Sequence, residues 1–207
     1  PEGIFRPTSI AFGANDRLFV GTSEGIVTTF IDTDSDGLAD SSKFFANTQL
    51  PALRLAIEGD GRTVYVAGGG QVTKFEDQDS NSNPDTDTII IQGLSSFVYD
   101  SHSNNGIAID PNGKLYLTLG GTSDHGPERH PLAGSILEAY TDGSDTRIFA
   151  SGLRNPYDLA FTSDGRLFAT DNGPDVPDKN LTWTPPDELN RIEDGGNYGY
   201  PEDFGYP

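Results

Sequence analysis

The sequence predicts an all-β fold, a β-propeller built from four-stranded antiparallel blades, and three observations support this prediction. A short apolar triplet recurs four times, starting at Ile10, Leu55, Ile107 and Leu159, with spacings of 45, 52 and 52 residues. Each triplet is followed by a turn rich in Gly, Asn or Asp, and then by a second apolar run. Repeats of this size, made of consecutive hairpins, are typical of propeller blades.

Each repeat is predicted to form a meander of three or four strands. The turns are "GANDR", "EGDGR", "DPNGK" and "TSDGR", and three of them place Asp-Gly or Asn-Gly where a tight hairpin needs a positive φ. A third strand-like segment follows in each repeat, namely "GIVTTFID", "QVTKFED", "SILEAYTD" and "DELNRIED". No stretch shows a 3.6-residue periodicity, so we expect little helix. A β-sandwich with regular hairpins is the alternative.

The blades are predicted near residues 7–47, 51–95, 102–151 and 152–200, within one domain over residues 1–207. Most propellers close with more than four blades, so we expect these to be part of a six-bladed ring that another segment or chain completes. The sequence begins at Pro1 and contains no Met, which indicates a segment processed or excised from a longer product.

The charge balance excludes several function classes. The 13 basic residues face 32 acidic ones, a net charge of -19. Nucleic acid is therefore not an expected partner, because phosphate binding needs clustered Lys and Arg. An acidic surface suits a salty or calcium-rich medium, and simple solubility is the alternative. There are no cysteines for disulfides or thiol chemistry, and no apolar run long enough to span a membrane.

Three loop segments are expected to meet at one end of the propeller channel: "YDSHSNNGIAI", "GLRNPYDLAF" and "ATDNGPD". They contribute His102, Arg154, Asn155 and Asn172. An imidazole has a pKa near neutrality and suits a general base. Alternatively, His102 is an ordinary polar loop residue and Arg154 bonds loop carbonyls around the channel. We expect no site role for His125 or His130, and a packing role for Trp183.

These segments resemble a known family. The stretches "HSNNGIAIDPNGKLYLTLG", "GSILEAYTDGSDTRIFASGLRNPYDLAFTSDGRLFATDNGP" and "DELNRIEDGGNYGYP" are similar to the soluble pyrroloquinoline quinone (PQQ) dehydrogenases that oxidise glucose and other aldoses. This is the glucose/sorbosone dehydrogenase family. The resemblance covers about half of the chain, and it implies a six-bladed propeller, PQQ and Ca²⁺ as cofactors, a sugar substrate, a separate electron acceptor and an extracellular or periplasmic location.

The resemblance also implies residue roles. His102 stands where the family has its general base, which takes the proton of the sugar's C1 hydroxyl as hydride leaves C1 for the quinone. Arg154 stands where a cation faces the quinone oxygens, with Asn155 bonding the same region. Asn172 replaces the Gln of the related "QGP" motif. Gly173 and Pro174 match the pair whose backbone carbonyls hold the active-site Ca²⁺.

Several departures keep other functions open. Gly121 and Thr122 follow the "LTLG" strand where related enzymes carry an acidic residue, and Ser101 precedes His102 in place of Asp. The later blades, which bring Lys and Arg to the PQQ carboxylates in the family, are not part of this chain. A non-catalytic binding or structural propeller is therefore one alternative. A calcium-dependent, lactonase-like hydrolase is another, although it would need more carboxylates in the channel.

An acidic loop is a second candidate metal site. "DTDSDGLAD" places Asp32, Asp34 and Asp36 two residues apart, before Gly37 and Asp40. Alternating carboxylates followed by a glycine turn can wrap a Ca²⁺ ion, as the EF-hand loop does. This loop resembles the calcium loops of thrombospondin-type repeats, and a solvated acidic hairpin is the alternative. "DQDSNSNPD", residues 77–85, occupies the same place in the next repeat with fewer charges, so weaker or no binding is expected.

Overall fold

The structure is a computed structural model that describes residues 3–14, 17–96, 102–124, 126–174 and 185–203. The chain divides into two compact units, residues 1–92 and 93–207. No α-helix occurs among the described residues, which confirms the expected low helix content. The predicted all-β class is confirmed, because every sheet is an antiparallel meander of blade type. The single domain and its blade ranges stay predictions.

The first unit contains two four-stranded sheets, each with its strands in chain order. The strands of the first sheet are β1 (Pro7–Phe12), β2 (Leu18–Thr22), β3 (Ile26–Ile31) and β4 (Ser41–Asn47). Those of the second sheet are β5 (Arg54–Ile57), β6 (Thr63–Gly68), β7 (Gln71–Glu76) and β8 (Thr86–Gln92).

One buried cluster joins these two sheets. Phe45 on β4 packs edge-on against Phe19 on β2 with ring centroids 5.2 Å apart, and against Phe75 on β7 at 6.3 Å. The other face of β1 is not covered in this way. Ile10 and Phe12 are 65% and 68% exposed, because neighbouring residues of a strand point to opposite faces and Ala11 between them packs on the cluster.

The second unit contains a four-stranded sheet and a sheet with three described strands. The strands are β9 (Asn104–Ile109), β10 (Lys114–Leu119), β11 (Ser135–Tyr140), β12 (Arg147–Ala150), β13 (Pro156–Phe161), β14 (Leu167–Asp171) and β15 (Glu188–Ile192). Tyr116 packs edge-on against both Phe149 and Phe161, each at 5.1 Å, and so links the two sheets.

The hairpin turns have the backbone that their sequences predict. Gly61, Gly113 and Gly165 adopt φ values of 71°, 82° and 83° in the turns "EGDGR", "DPNGK" and "TSDGR". Positive φ is easy for glycine because it has no Cβ. The apolar triplets that precede these turns lie on β5, β9 and β13, the first strand of each meander. The segment before each of these strands therefore lies at the corresponding edge of its own meander.

An ion cluster around the buried Glu138 supports the second unit. Glu138 on β11 accepts hydrogen bonds from Lys114 Nζ at 2.8 Å, from the Tyr116 hydroxyl at 2.7 Å and from Arg147 Nε at 3.0 Å. Burial acts to raise the pKa of Glu138, but these three donors outweigh burial and lower it. Arg147 also bonds both carboxylate oxygens of Asp194, beyond β15, and so ties the two sheets together at the surface.

Candidate active site

His102 lies just before β9 and is 9% exposed. Its Nδ1 lies 2.8 Å from the carbonyl oxygen of Gly121. A carbonyl oxygen can only accept, so Nδ1 carries the proton of the neutral ring and donates it to this bond. This tautomer leaves Nε2 as the basic nitrogen, which is the state required to take a proton from a hydroxyl group.

Gly120 and Gly121, directly after β10, mark the point where three chain segments converge. A Cβ atom on Gly120 would lie 2.4 Å from His102 Cβ and 2.7 Å from Asn155 Oδ1. One on Gly121 would lie 2.8 Å from the carbonyl oxygen of Arg154. The two glycines therefore allow the loops that carry His102, Arg154 and Asn155 to approach each other. The third predicted segment reaches the same loop, because the Asn172 N–H donates to the Asn155 carbonyl at 3.1 Å.

Arg154 is a buried cation, 3% exposed. Its Nη2 forms an ion pair with the Asp124 carboxylate, its Nε donates to the Asp124 carbonyl at 3.3 Å, and its Nη1 donates to the Asn172 carbonyl at 3.0 Å. The Tyr200 hydroxyl donates to the same Asp124 carbonyl at 3.0 Å. The structure therefore contains the hydrogen bonds to loop carbonyls that the alternative interpretation of Arg154 predicts. Its role towards a ligand stays a prediction.

Asp171, the last residue of β14, positions the loop before β13. Its carboxylate accepts the backbone N–H of Arg154 at 3.0 Å and that of Asn155 at 2.7 Å, and the side chain is buried. Burial raises its pKa to about 6, in spite of these two bonds. The side-chain oxygen of Asn155 accepts from Asn105 Nδ2 at 3.2 Å. Arg154 and Asn155 are therefore fixed in both backbone and side chain.

A small recess of about 10 Å³ follows β14, with room for a single water molecule or ion. Asn172, Gly173 and Pro174 line it, and among the described residues Asn172 Oδ1 is a buried oxygen with no hydrogen-bond partner. A Cβ on Gly173 would lie 3.0 Å and 2.9 Å from the carbonyl oxygens of Pro185 and Pro186. Amide and carbonyl oxygens are the ligands that Ca²⁺ takes, so the residues present fit such an ion.

The acidic loop of the first unit gathers three of its four predicted residues. Ligand oxygens of Asp32, Asp34 and Asp40 all lie within 4.8 Å of one another, and Asp36 is not part of this group. Asp36 accepts the N–H of Leu38 at 2.7 Å instead. An equivalent group follows β7, made of Asp77, Asp79 and Asp85. Metal binding by either loop stays a prediction.

Sequence reasoning missed the partners of the site. Asp171 ends β14 within the quoted "ATDNGPD", and Asp124 and Tyr200 stand in the loops that follow β10 and β15. Their polarity near glycines was the available signal. His130 bonds the Gly93 carbonyl at 2.9 Å. Ser101, His125 and Trp183, which the sequence also singled out, lie outside the described residues.

Antiparallel meanders of this type are the blades of β-propeller proteins, and in the second unit they bring a buried imidazole, a buried guanidinium and amide side chains together at one loop cluster. A family model described as glucose/sorbosone dehydrogenase matches residues 6–204. The chain belongs to this family.

The chain is also similar to individual proteins. Quinoprotein glucose dehydrogenase B of Acinetobacter calcoaceticus is 29% identical over 161 residues, which cover 60% of this chain and 31% of the relative. The PQQ-bound aldose sugar dehydrogenase of Streptomyces coelicolor superposes with a TM-score of 0.76 at 24% identity, over 97% of this chain and 64% of that one. The holo PQQ domain of pyranose dehydrogenase from Coprinopsis cinerea gives 0.80 at 16% identity, over 96% and 55%.

At these identities the two structures show a shared fold. The chain spans about a third of the curated relative and under two thirds of each of these two solved chains. Among the described residues, no helix has the length and hydropathy that crossing a membrane requires.

Proposed function

We propose that this chain forms part of a PQQ- and calcium-dependent dehydrogenase that oxidises an aldose-type sugar or a related alcohol. The observation that carries the proposal is the state of His102. Its Nδ1–H is bound to the Gly121 carbonyl, so that Nε2 is the basic nitrogen of the neutral ring, and Gly120 and Gly121 bring His102 close to the Arg154–Asn155 loop. Membership of the glucose/sorbosone dehydrogenase family supports it.

His102 removes the hydroxyl proton from the carbon that is oxidised. The proton goes to Nε2 while the C–H hydrogen leaves as hydride, so an aldose loses two electrons and becomes a lactone. The Gly121 carbonyl keeps the ring oriented and accepts from Nδ1 in both charge states. A bound quinone would supply the hydride acceptor, and a bound Ca²⁺ would increase the electrophilicity of that quinone.

Arg154, Asn155 and Asn172 form the cofactor side of the site. A cation that is held in place before the reaction stabilises oxygens as they gain charge, without reorganisation at that moment. Arg154 is held in this way by carbonyls from two loops. Asn172 Oδ1 is a buried acceptor, and a bound ion or a donor group of a ligand would satisfy it.

Gly173 and Pro174 hold the active-site Ca²⁺ through their backbone carbonyls in this proposal. A second calcium site is proposed in the acidic loop, with Asp32, Asp34 and Asp40 as ligands. Asp36, which the sequence also predicted as a ligand, is not part of this group. We propose a structural role for this second ion.

The remaining parts of the proposal concern the whole protein. It acts outside the cell or in the periplasm and passes electrons to a separate acceptor. Further blades from another segment cover apolar faces such as that of Ile10 and Phe12. Those blades also supply cations for the cofactor's carboxylates, because a chain of net charge -19 needs them.

The test is a titration of the complete protein with PQQ, with and without Ca²⁺, followed by dye reduction with a panel of aldoses. We expect calcium-dependent binding and sugar-dependent reduction, with His102→Ala losing reduction but keeping PQQ binding. An intact protein that binds no PQQ would leave a non-catalytic propeller. Calcium-dependent lactone hydrolysis without PQQ would identify the hydrolase instead.

A further inference from the structure

We infer that Asp124 sets how strongly this site binds an anionic ligand, because it is the protein's own counter-ion for Arg154. The inference rests on the proposed function, in which an anionic cofactor lies beside Arg154. Asp124 would oppose binding, because its carboxylate already pairs with the guanidinium charge of Arg154 that the ligand needs.

Burial creates the requirement for a counter-ion. Arg154 is 3% exposed, and a buried guanidinium without an opposite charge is strongly destabilising. The Asp124 carboxylate forms an ion pair with this guanidinium. Asp171 bonds the backbone N–H of Arg154, so its carboxylate positions the loop.

Hydrogen bonds join the two ends of the loop that carries Asp124. Glu128 Oε2 accepts from both the backbone N–H and the hydroxyl of Thr122, and Arg129 Nη2 donates to the Thr122 carbonyl at 3.0 Å. These bonds hold the two ends of the loop together without any contribution from the Asp124 carboxylate.

The main chain of Asp124 is also fixed independently of its side chain. Its carbonyl accepts from the Tyr200 hydroxyl at 3.0 Å and from Arg154 Nε at 3.3 Å, while Arg154 Nη1 bonds the Asn172 carbonyl at 3.0 Å. Asp124→Asn therefore removes one negative charge and leaves Arg154 with its carbonyl partners. The Asp124 carboxylate is about one third exposed, so an amide can be accommodated there.

Two opposite effects follow from this geometry. Without a ligand, Asp124 stabilises the fold by neutralising Arg154. With an anion at the site, Asp124 shares the cation with that anion and repels it. Removal of the charge should therefore lower stability without ligand and raise affinity for the anion, whereas loss of a merely structural contact would lower both.

The experiment compares the complete wild-type protein with Asp124→Asn and with Asp145→Asn. The control removes the same charge from an exposed turn of the same unit, at a positive φ of 51° that Asn tolerates. Thermal unfolding is measured without ligand, and binding of PQQ in calcium buffer and of citrate, a tricarboxylate without a quinone, is measured by calorimetry.

We expect Asp124→Asn to unfold at a lower temperature without ligand and to bind PQQ at least tenfold more tightly, and Asp145→Asn to match the wild type in both. Equal or weaker PQQ binding by Asp124→Asn overturns the inference. If the wild type binds neither PQQ nor citrate, the proposed function fails. In that case binding of citrate by Asp124→Asn still supports the inference, and its absence overturns the inference as well. If that variant does not fold, Asp124→Ser takes its place with the same expectations.

Discussion

Replacement of Gly120 by alanine tests the convergence of loops on which the site depends. The added methyl group would lie 2.4 Å from His102 Cβ and 2.7 Å from Asn155 Oδ1, where ordinary contacts are 3.4–4 Å. His102 Cβ is bonded directly to the main chain, so it cannot move away by a change of side-chain rotamer. His102 or the end of β10 must therefore move by about 1 Å, a typical response to overpacking.

The magnitude follows from that displacement. Forcing one extra methyl group into a packed site costs about 1–3 kcal/mol of stability. A shift of about 1 Å in a reacting group can lower the rate about 100-fold. We expect Gly120→Ala to lose stability in this range and to reduce dye with an aldose about 100-fold more slowly.

The assay combines urea unfolding with dye reduction by the complete protein, saturated with PQQ and Ca²⁺. Gly59→Ala is the matched control, because a Cβ at Gly59 meets nothing within 4 Å and its φ is not in the left-handed region. The stability measurement does not depend on the proposed function. A Gly120→Ala protein with the stability and His102 NMR signals of the wild type would refute the packing argument.

Three further predictions concern ionised groups. Glu138→Gln should lower the free energy of unfolding, measured in urea, by about 2–4 kcal/mol. This is less than for a fully buried ion pair, because Lys114 and Arg147 are partly exposed. A change within the error of the measurement would contradict this prediction. The pKa of Asp171 is raised to about 6, so the folded state holds its proton more tightly than the unfolded state does, and this contribution to stability is lost as pH rises. Between pH 4 and 7 the wild type should lose about 2 kcal/mol of unfolding free energy relative to Asp171→Asn in metal-free buffer, whereas a constant difference would show an ordinary carboxyl. Ca²⁺ should raise the unfolding temperature of the first unit, and Asp40→Asn should weaken terbium binding at the acidic loop at least tenfold, a result that unchanged luminescence would exclude.

The sequence predicted that His102, Arg154 and Asn155 lie close together but not which residues they contact. His102, Arg154 and Asn155 stand at the starts of repeated strands, and strand starts within a meander fall at one edge, so their proximity could be inferred from the repeat. Asp124 lies 30 residues from Arg154 and 76 from Tyr200, and no local pattern links them. The pairing of Arg154 with Asp124 therefore required the structure.

Burial was the other property that the sequence did not predict. Asn104 and Asn105 are polar and follow a serine, which is typical of an exposed loop, yet both are buried at the start of β9. Ile10 and Phe12 are apolar and repeat the core triplet, yet they are exposed. Burial depends on which neighbouring sheet covers a face, and a single repeat contains no information about its neighbour.

The amino-acid sequence by itself determined the all-β class, the repeated meander, the hairpin glycines and the family resemblance. Each of these rests on residues a few positions apart, where backbone sterics and two-residue alternation act. Only the tertiary structure decided the tautomer of His102, the counter-ion of Arg154 and the glycine pair that lets the loops approach. These depend on distances between segments tens of residues apart, which are set when the sheets pack.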